Sequence, residues 1–176
     1  MKKNVKKILV TGGAGFIGYH LCNALCKSNK NHVIAIDNFF SGQIKNVLDL
    51  KINSNFEFFK RDVCKTLNFE IDEIYHLACP ASPYVYQSKP LKTLITNVVG
   101  TLNVLELALK KNARILLAST SEIYGDPLQS PQRESYWGNV NPIGARSCYN
   151  EGKRCAETLF TNFNEQTGLK TKITRI

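Results

Sequence analysis

An apolar run, Lys7–Thr11 (KILVT), leads straight into Thr11-Gly12-Gly13-Ala14-Gly15-Phe16-Ile17-Gly18, and Phe16–Lys27 then carries apolar residues at helical spacing. Few folds accommodate three glycines spaced three apart between a buried strand and a helix. Gly12 permits the tight turn, Gly15 lets the backbone approach a pyrophosphate, and Gly18 lets the helix pack on the strand. The helix N-terminus behind the turn offers unpaired N–H groups and a partial positive charge to an anion. A glycine string alone is a weak signal. Here Asp37 closes the next apolar run, 19 residues beyond Gly18, where a carboxylate would accept hydrogen bonds from the ribose hydroxyls. Its charge repels a 2′-phosphate, and Asn38, Phe39 and Phe40 supply no arginine to counter it, so NAD is expected over NADP.

The rest of the chain repeats the alternation. Expected strands are His32–Asp37, Asn55–Lys60, Glu73–Ala78, Ala113–Ala118 and Thr171–Ile176; expected helices are Pro90–Lys111 and Tyr149–Gln166. In the first of these helices Leu94, Val98, Leu102, Leu105 and Leu109 form the expected apolar face. A Pro-rich loop passes through Pro80 and Pro83, and a long Pro- and Gly-containing loop runs from Ser119 to Ser147. Strands alternating with helices predict an α/β fold: a Rossmann-type, doubly wound parallel sheet in the order 3-2-1-4-5-6, occupying residues 1–176 as one domain. The loop at 119–148 is longer than structureless connections usually are and is expected to be functional.

Composition narrows the function. Hydrophobic residues make up 43% and charged residues 21%, which excludes a disordered chain or a coiled coil. The net charge of +9 is spread along the whole chain, so it reads as a solvated surface and no nucleic-acid partner is expected. Cys22, Cys26, Cys64, Cys79, Cys148 and Cys155 show no paired spacing, and His20, His32 and His76 stand alone, so neither disulfides nor a metal site is expected. No apolar run is long enough for a membrane span, and the lysine-led start is too brief for a signal peptide; a cytoplasmic protein is expected.

Tyr149 and Lys153 lie four apart at the start of a helix and share a face. By chance such pairs are common. Position raises this one: the fifth strand ends in Ser119-Thr120-Ser121-Glu122, at the carboxyl edge of the sheet where doubly wound folds bind ligands. A hydroxyl, a phenol and an ammonium beside a nicotinamide can remove a proton while hydride leaves. A cation 4 Å from the phenol contributes roughly 4 kcal/mol at an effective dielectric of about 20, or about 3 units of pKa. Lys153 and the charged nicotinamide ring are therefore expected to bring Tyr149 toward working pH. Asp62 and Val63, after the third strand, are expected near the adenine.

TGGAGFIG, DNFFSG (Asp37–Gly42), HLACPASP (His76–Pro83), TNVVGTLNVL (Thr96–Leu105), STSEIYGDP (Ser119–Pro127), YWGNVNPIG (Tyr136–Gly144) and SCYNEGKRCAETL (Ser147–Leu159) together resemble the UDP-glucuronate decarboxylases. These enzymes make UDP-xylose and lie within the extended short-chain dehydrogenase/reductase superfamily. The resemblance implies a redox-neutral reaction with retained NAD. Tyr149, aided by Thr120, takes the proton of the sugar 4-hydroxyl, the 4-keto acid loses CO2, and Ser121 and Glu122 position or protonate the intermediate. It also places Phe16, Ile17, Asn38, Phe39, Ser41, Gly42, Leu77, Cys79, Thr96 and Ala118 along the cofactor, and Leu67, Asn68 and Asn103 on the substrate side with Tyr149. Glu122 favours decarboxylase or 4,6-dehydratase chemistry over 4-epimerisation. Ile95 departs from the resemblance, standing where a lysine is expected. The resemblance further implies a homodimer and a uridine-diphosphate-binding lobe beyond Ile176, so that the chain is expected to be the cofactor-binding part of a longer enzyme. Another nucleotide-sugar 4-epimerase or dehydratase, and a non-catalytic NAD-binding fragment, are the alternatives.

Overall fold

The computed structural model describes residues 5–176. Six parallel strands form one sheet in the order β3-β2-β1-β4-β5-β6: β1 (Lys6–Thr11), β2 (Asn31–Asp37), β3 (Phe56–Lys60), β4 (Glu73–His76), β5 (Arg114–Ser119) and β6 (Thr171–Arg175). The expected strand order holds. Strands β1 and β2 are apolar at successive positions because both faces of the sheet are covered. Ile8, Val10, Val33 and Ala35 face α1 (Phe16–Cys26) and α2 (Ile44–Leu50), packing with Cys22, Val47 and Leu50. Leu9, Ile34 and Ile36 face the other way, into a cluster with Leu105 and Ala108 of α5 (Thr101–Lys111) and Ala156 and Phe160 of α6 (Ser147–Thr167).

The expected helix Pro90–Lys111 is three pieces: α4 (Pro90–Ile95), a π-helical turn (Thr96–Gly100) and α5. The wider turn rotates the helix faces, so the expected leucine stripe is not the buried one. Leu105 is buried, but Leu94, Val98 and Leu102 are only partly covered and Leu109 is exposed. The residues this stretch buries are instead small and polar, Thr93, Thr96, Asn97, Gly100 and Thr101, of which Asn97 lies against α6 and Gly100 against Val63. Close approach explains this choice, since a Cβ built on Gly152 of α6 would stand 3.0 Å from the Asn97 Cβ.

Helix α3 (Pro83–Ser88) lies where the Pro-rich loop is expected, and α2 is a helix for which the sequence pattern offers no expectation. Pro83 and Pro90 each sit at the start of a helix, where a missing N–H loses nothing; the Pro-rich signal therefore marked helix starts. Strand β4 stops at His76, two residues short of expectation, and β5 runs one residue later, to Ser119. The long loop contains a 3₁₀ turn (Ser121–Tyr124) and is tied down by two arginines. Arg154 donates to the carbonyls of Ile123 (2.9 Å) and Trp137 (2.8 Å), and Arg175 to that of Glu134 (2.8 Å).

Phe160 is fully buried between α6 and the sheet. Phe160→Ala is expected to lower unfolding free energy in urea by about 3–5 kcal/mol, a large part of the ~5–15 kcal/mol of a typical domain.

Candidate active site

The carboxyl ends of β1 and β4 meet α5 at a buried polar junction. The Thr11 hydroxyl oxygen accepts N–H bonds from Leu77 (3.2 Å) and Ala78 (3.1 Å) and lies 2.8 Å from His76 Nδ1. With both lone pairs engaged, the hydroxyl proton goes to Nδ1, leaving the ring proton on Nε2 to donate to Thr101 Oγ1 at 3.1 Å. Burial, and then the Lys153 charge, hold His76 down at about 3, so it is a neutral strut and no acid–base group. Gly12 follows directly. It has φ +73°, and a Cβ there would meet Leu77 C and Ala78 N at 3.0 Å.

Gly18 is equally constrained, since a Cβ there would collide with the Gly12 carbonyl oxygen. The turn thus keeps α1 against β1. Asp37, at the end of β2, is committed to the local backbone: Oδ2 accepts from Ala14 N–H (3.1 Å) and Oδ1 from Phe39 N–H (2.8 Å). Burial pushes its carboxyl up, against the pull of those N–H groups. A Cβ on Gly42 would lie 2.9 Å from Asp37 Oδ2, so this glycine leaves the carboxylate open on that side.

One cavity is lined by Gly12, Asp37, Asn38, Ser41, Val63, Leu77, Cys79 and Thr96. A second is lined by Gly12, Phe16, Ile17, Gly18, Leu77, Cys79, Ala118, Thr120, Tyr149 and Lys153. Gly12, Leu77 and Cys79 border both, so the two form one continuous cleft across the sheet edge. Gly15, at the α1 N-terminus, shapes the turn.

Other expected contacts are not brought to the cleft. Phe39, at φ +61°, packs its ring on Phe58 at 5.3 Å and contributes its N–H to Asp37. Asp62 accepts from Asn38 Nδ2 and Cys64 N–H, both at 2.9 Å. Burial opposes its ionisation, but these bonds and the charge of Lys92 pull the carboxyl below its usual value. Asp62 acts by holding Asn38. Leu67 belongs to the apolar core, Asn68 is exposed, and Asn103 donates to the Val63 carbonyl at 2.8 Å. None of these three borders the Tyr149–Lys153 cavity: an apolar Leu is worth more in the core, and Asn103 is occupied with loop backbone. Ser121 is exposed, and Glu122 lines a neighbouring cavity, paired with Arg146. Ile95 is exposed on α4.

Tyr149 and Lys153 are buried in the first turns of α6. Lys153 Nζ donates to the Ala118 carbonyl at 2.7 Å, anchoring α6 to the end of β5. Thr120 caps the 3₁₀ turn, accepting from Glu122 N–H at 3.2 Å, and its hydroxyl lowers the Tyr149 phenol. The net effect on Tyr149 is the reverse of the expected depression. Burial, then the neighbouring Cys79, push it up to about 12, and the Lys153 charge is directed at a backbone carbonyl. Sequence reasoning also missed Tyr86, 1% exposed, whose ring stacks on Tyr149 with centroids 4.9 Å apart. It missed Arg61 and Lys92 as well, which line the Asp37 end of the cleft; Lys92 lies 4.3 Å over the Phe40 ring. Arg61 comes from the end of β3, a neighbour of Asp37 only once the sheet is formed.

The glycine turn, the strand order and the buried Tyr149–Lys153 pair define an extended short-chain dehydrogenase/reductase. The sequence pattern of the family described as GDP-mannose 4,6 dehydratase matches residues 9–176, and the chain belongs to that family. It is 58% identical over 170 residues to UDP-glucuronic acid decarboxylase 6 of Arabidopsis thaliana, covering 97% of this chain and 50% of that protein. With UDP-glucuronic acid decarboxylase 1 of Danio rerio it shares 52% identity over 175 residues, 99% of this chain and 42% of the relative. The chain thus spans about half the length of the curated relatives it matches. Among solved structures, UDP-glucuronic acid 4-epimerase from Bacillus cereus in complex with UDP-glucuronic acid and NAD superposes with a TM-score of 0.83 at 31% identity, over 96% of this chain and 55% of that one. The dTDP-glucose 4,6-dehydratase of Bacillus anthracis in complex with NAD gives 0.79 at 25% identity, over 97% and 54%.

The neutral His76 has a consequence for stability. Its folded value of about 3 lies below the ordinary 6.5, so the unfolded chain binds a proton between those pH values that the folded chain does not. This contribution is fully present above pH 6.5 and falls by about 1.4 kcal/mol per pH unit on acidification. Urea unfolding at pH 7, 6 and 5 is expected to show a wild-type stability whose fall steepens toward that slope as the pH drops, and a smaller fall in His76→Gln.

Proposed function

We propose that the chain binds NAD in the cleft and forms the cofactor-binding and proton-transfer half of a UDP-glucuronate decarboxylase, yielding UDP-xylose and CO2. The carrying observation is the placement of buried Tyr149, Lys153 and Thr120 in one cavity continuous with the Gly12–Asp37 groove. Identity of 52–58% to curated decarboxylases supports the reaction. The residues fit the cofactor. Gly12 and Gly18 have no room for a side chain, Asp37 keeps lone pairs beside Gly42, and Lys153 has spent one of three N–H donors in a buried site.

Bound NAD supplies a hydride acceptor and a positive charge. Tyr149 takes the proton of the sugar 4-hydroxyl, with the Thr120 hydroxyl, which lowers the phenol, placed in the same cavity to stabilise the phenolate. Lys153 orients through its remaining N–H groups while Ala118 holds it in place. The 4-ketone makes the C5 carboxylate that of a β-keto acid, so the C–C bond breaks with CO2 leaving and the electron pair passing to the enolate. Protonation at C5 gives the 4-keto pentose, and as the C4 hydride held by the reduced cofactor would return to C4, Tyr149 gives its proton back to the 4-oxygen. Glu122 stands close enough to raise the phenol and is the candidate for positioning the intermediate, together with Ser121. Leu67, Asn68 and Asn103 have no part in this account.

Because the structural neighbours include 4-epimerases, a C4 epimer released without CO2 is the competing product. A homodimer is supported by the exposed apolar row Leu91, Ile95 and Val99 along α4 and the π turn. Among the described residues no helix is long and apolar enough to cross a membrane.

In the NAD-loaded protein, Tyr149→Phe is expected to cut CO2 release from UDP-glucuronate by about 10²–10⁴-fold while NAD stays bound. Retained CO2 release in that variant refutes the proton-transfer assignment. NAD binding with no CO2 from the wild type points to a binding module.

A further inference from the structure

We propose that Arg146 is a positioning residue for Tyr149, tying Glu122 of the 3₁₀ turn to Tyr86, the ring on which Tyr149 rests. The proposal builds on the reading of Tyr149 as the proton-transfer group. Arg146 precedes α6, and its carbonyl accepts the N–H groups of Tyr149 and Asn150, both at 3.0 Å. Its guanidinium reaches two other elements. Nη2 donates to Glu122 Oε1, and Nε donates to the Tyr86 hydroxyl oxygen at 3.0 Å.

Tyr86 then transmits the constraint. Its ring lies parallel to that of Tyr149, 4° from coplanar. Its carbonyl accepts from Thr93 Oγ1 (3.5 Å) and Cys148 Sγ (3.6 Å), so α3, α4 and α6 all grip the same residue. The Tyr86 hydroxyl is the free end of that ring, and Arg146 is what holds it. A planar guanidinium with N–H groups on two edges can serve a carboxylate and a phenol at once, and a lysine ammonium reproduces this poorly. The other cations of this region are engaged elsewhere: Arg154 with loop carbonyls and Glu151, Arg175 with Glu157 and Tyr124. Removing the Arg146 side chain frees Glu122 and the Tyr86 ring together, and Tyr149 loses the surface that fixes its plane.

NMR of the tyrosine Cζ carbons in the purified chain tests this without turnover, with Tyr86→Phe and Tyr149→Phe assigning the two signals. Arg146→Gln is expected to move the Tyr149 signal, and Arg146→Lys to restore it in part. The double variant Arg146→Gln/Tyr86→Phe should leave the signal where Tyr86→Phe alone leaves it. An unmoved Tyr149 signal in Arg146→Gln, or shifts that add in the double variant, overturns the proposal. If Arg146→Gln does not fold, Glu122→Gln and Tyr86→Phe are each expected to move the Tyr149 signal, and no movement in either overturns it equally. In turnover of UDP-glucuronate, Arg146→Gln should lower kcat by about 10²-fold with little change in KM, as expected for a group displaced by about 1 Å. A wild-type chain that holds NAD but releases no CO2 refutes the functional reading alone; the NMR result still decides the part played by Arg146.

Discussion

A lysine side chain buried at the end of the sheet constrains most of what surrounds it. Lys153 is 4% exposed, and its ammonium donates to the Ala118 carbonyl. Burying a cation is tolerable only where polar partners converge on it. The last residues of β5, the neutral ring of His76 and the start of α6 are arranged around that requirement. His76 is kept uncharged partly by this same cation, and in turn pins Thr11 and Thr101. The glycine turn, the carboxyl end of β4 and α5 are therefore joined through the His76 ring, which burial and the charge of Lys153 keep neutral.

The position of Tyr149 shows why proximity in sequence is a poor guide to electrostatics. Four residues along a helix place the phenol and the ammonium on one face, which suggested mutual stabilisation. In the folded chain the ammonium turns to a carbonyl, and the phenol is governed by burial, by Cys79 and by Tyr86. The pair is preorganised, and the acidity of the phenol depends on what enters the cleft.

Much of the architecture was legible. Alternating buried faces in β1 and β2, the glycine spacing and Asp37 all follow from local pattern, and they set the strand order and one side of the cleft. What escaped involves contacts between distant segments. The π turn hides inside an amphipathic pattern because the buried residues of α4 and the turn, Thr93, Thr96 and Asn97, are small and polar where an apolar stripe is expected. Arg61 and Lys92 reach the Asp37 end only through sheet pairing and the fold of α4. Leu67 has a simple apolar explanation that motif reading overlooks, and Tyr86 sits in a stretch whose prolines suggested loop.

Gly152, between the phenol and the ammonium along α6, lies against the side chain of Asn97 in the π turn. It works as a shim: even one methyl group there would stand 3.0 Å from the Asn97 side chain, which would have to give way by a few tenths of an ångström for α6 to keep its place at the sheet edge. The motif residue with no chemistry of its own thus sets the tolerance of the whole assembly, and natural variation at 152 and 97 should be correlated and confined to changes that keep their combined bulk small.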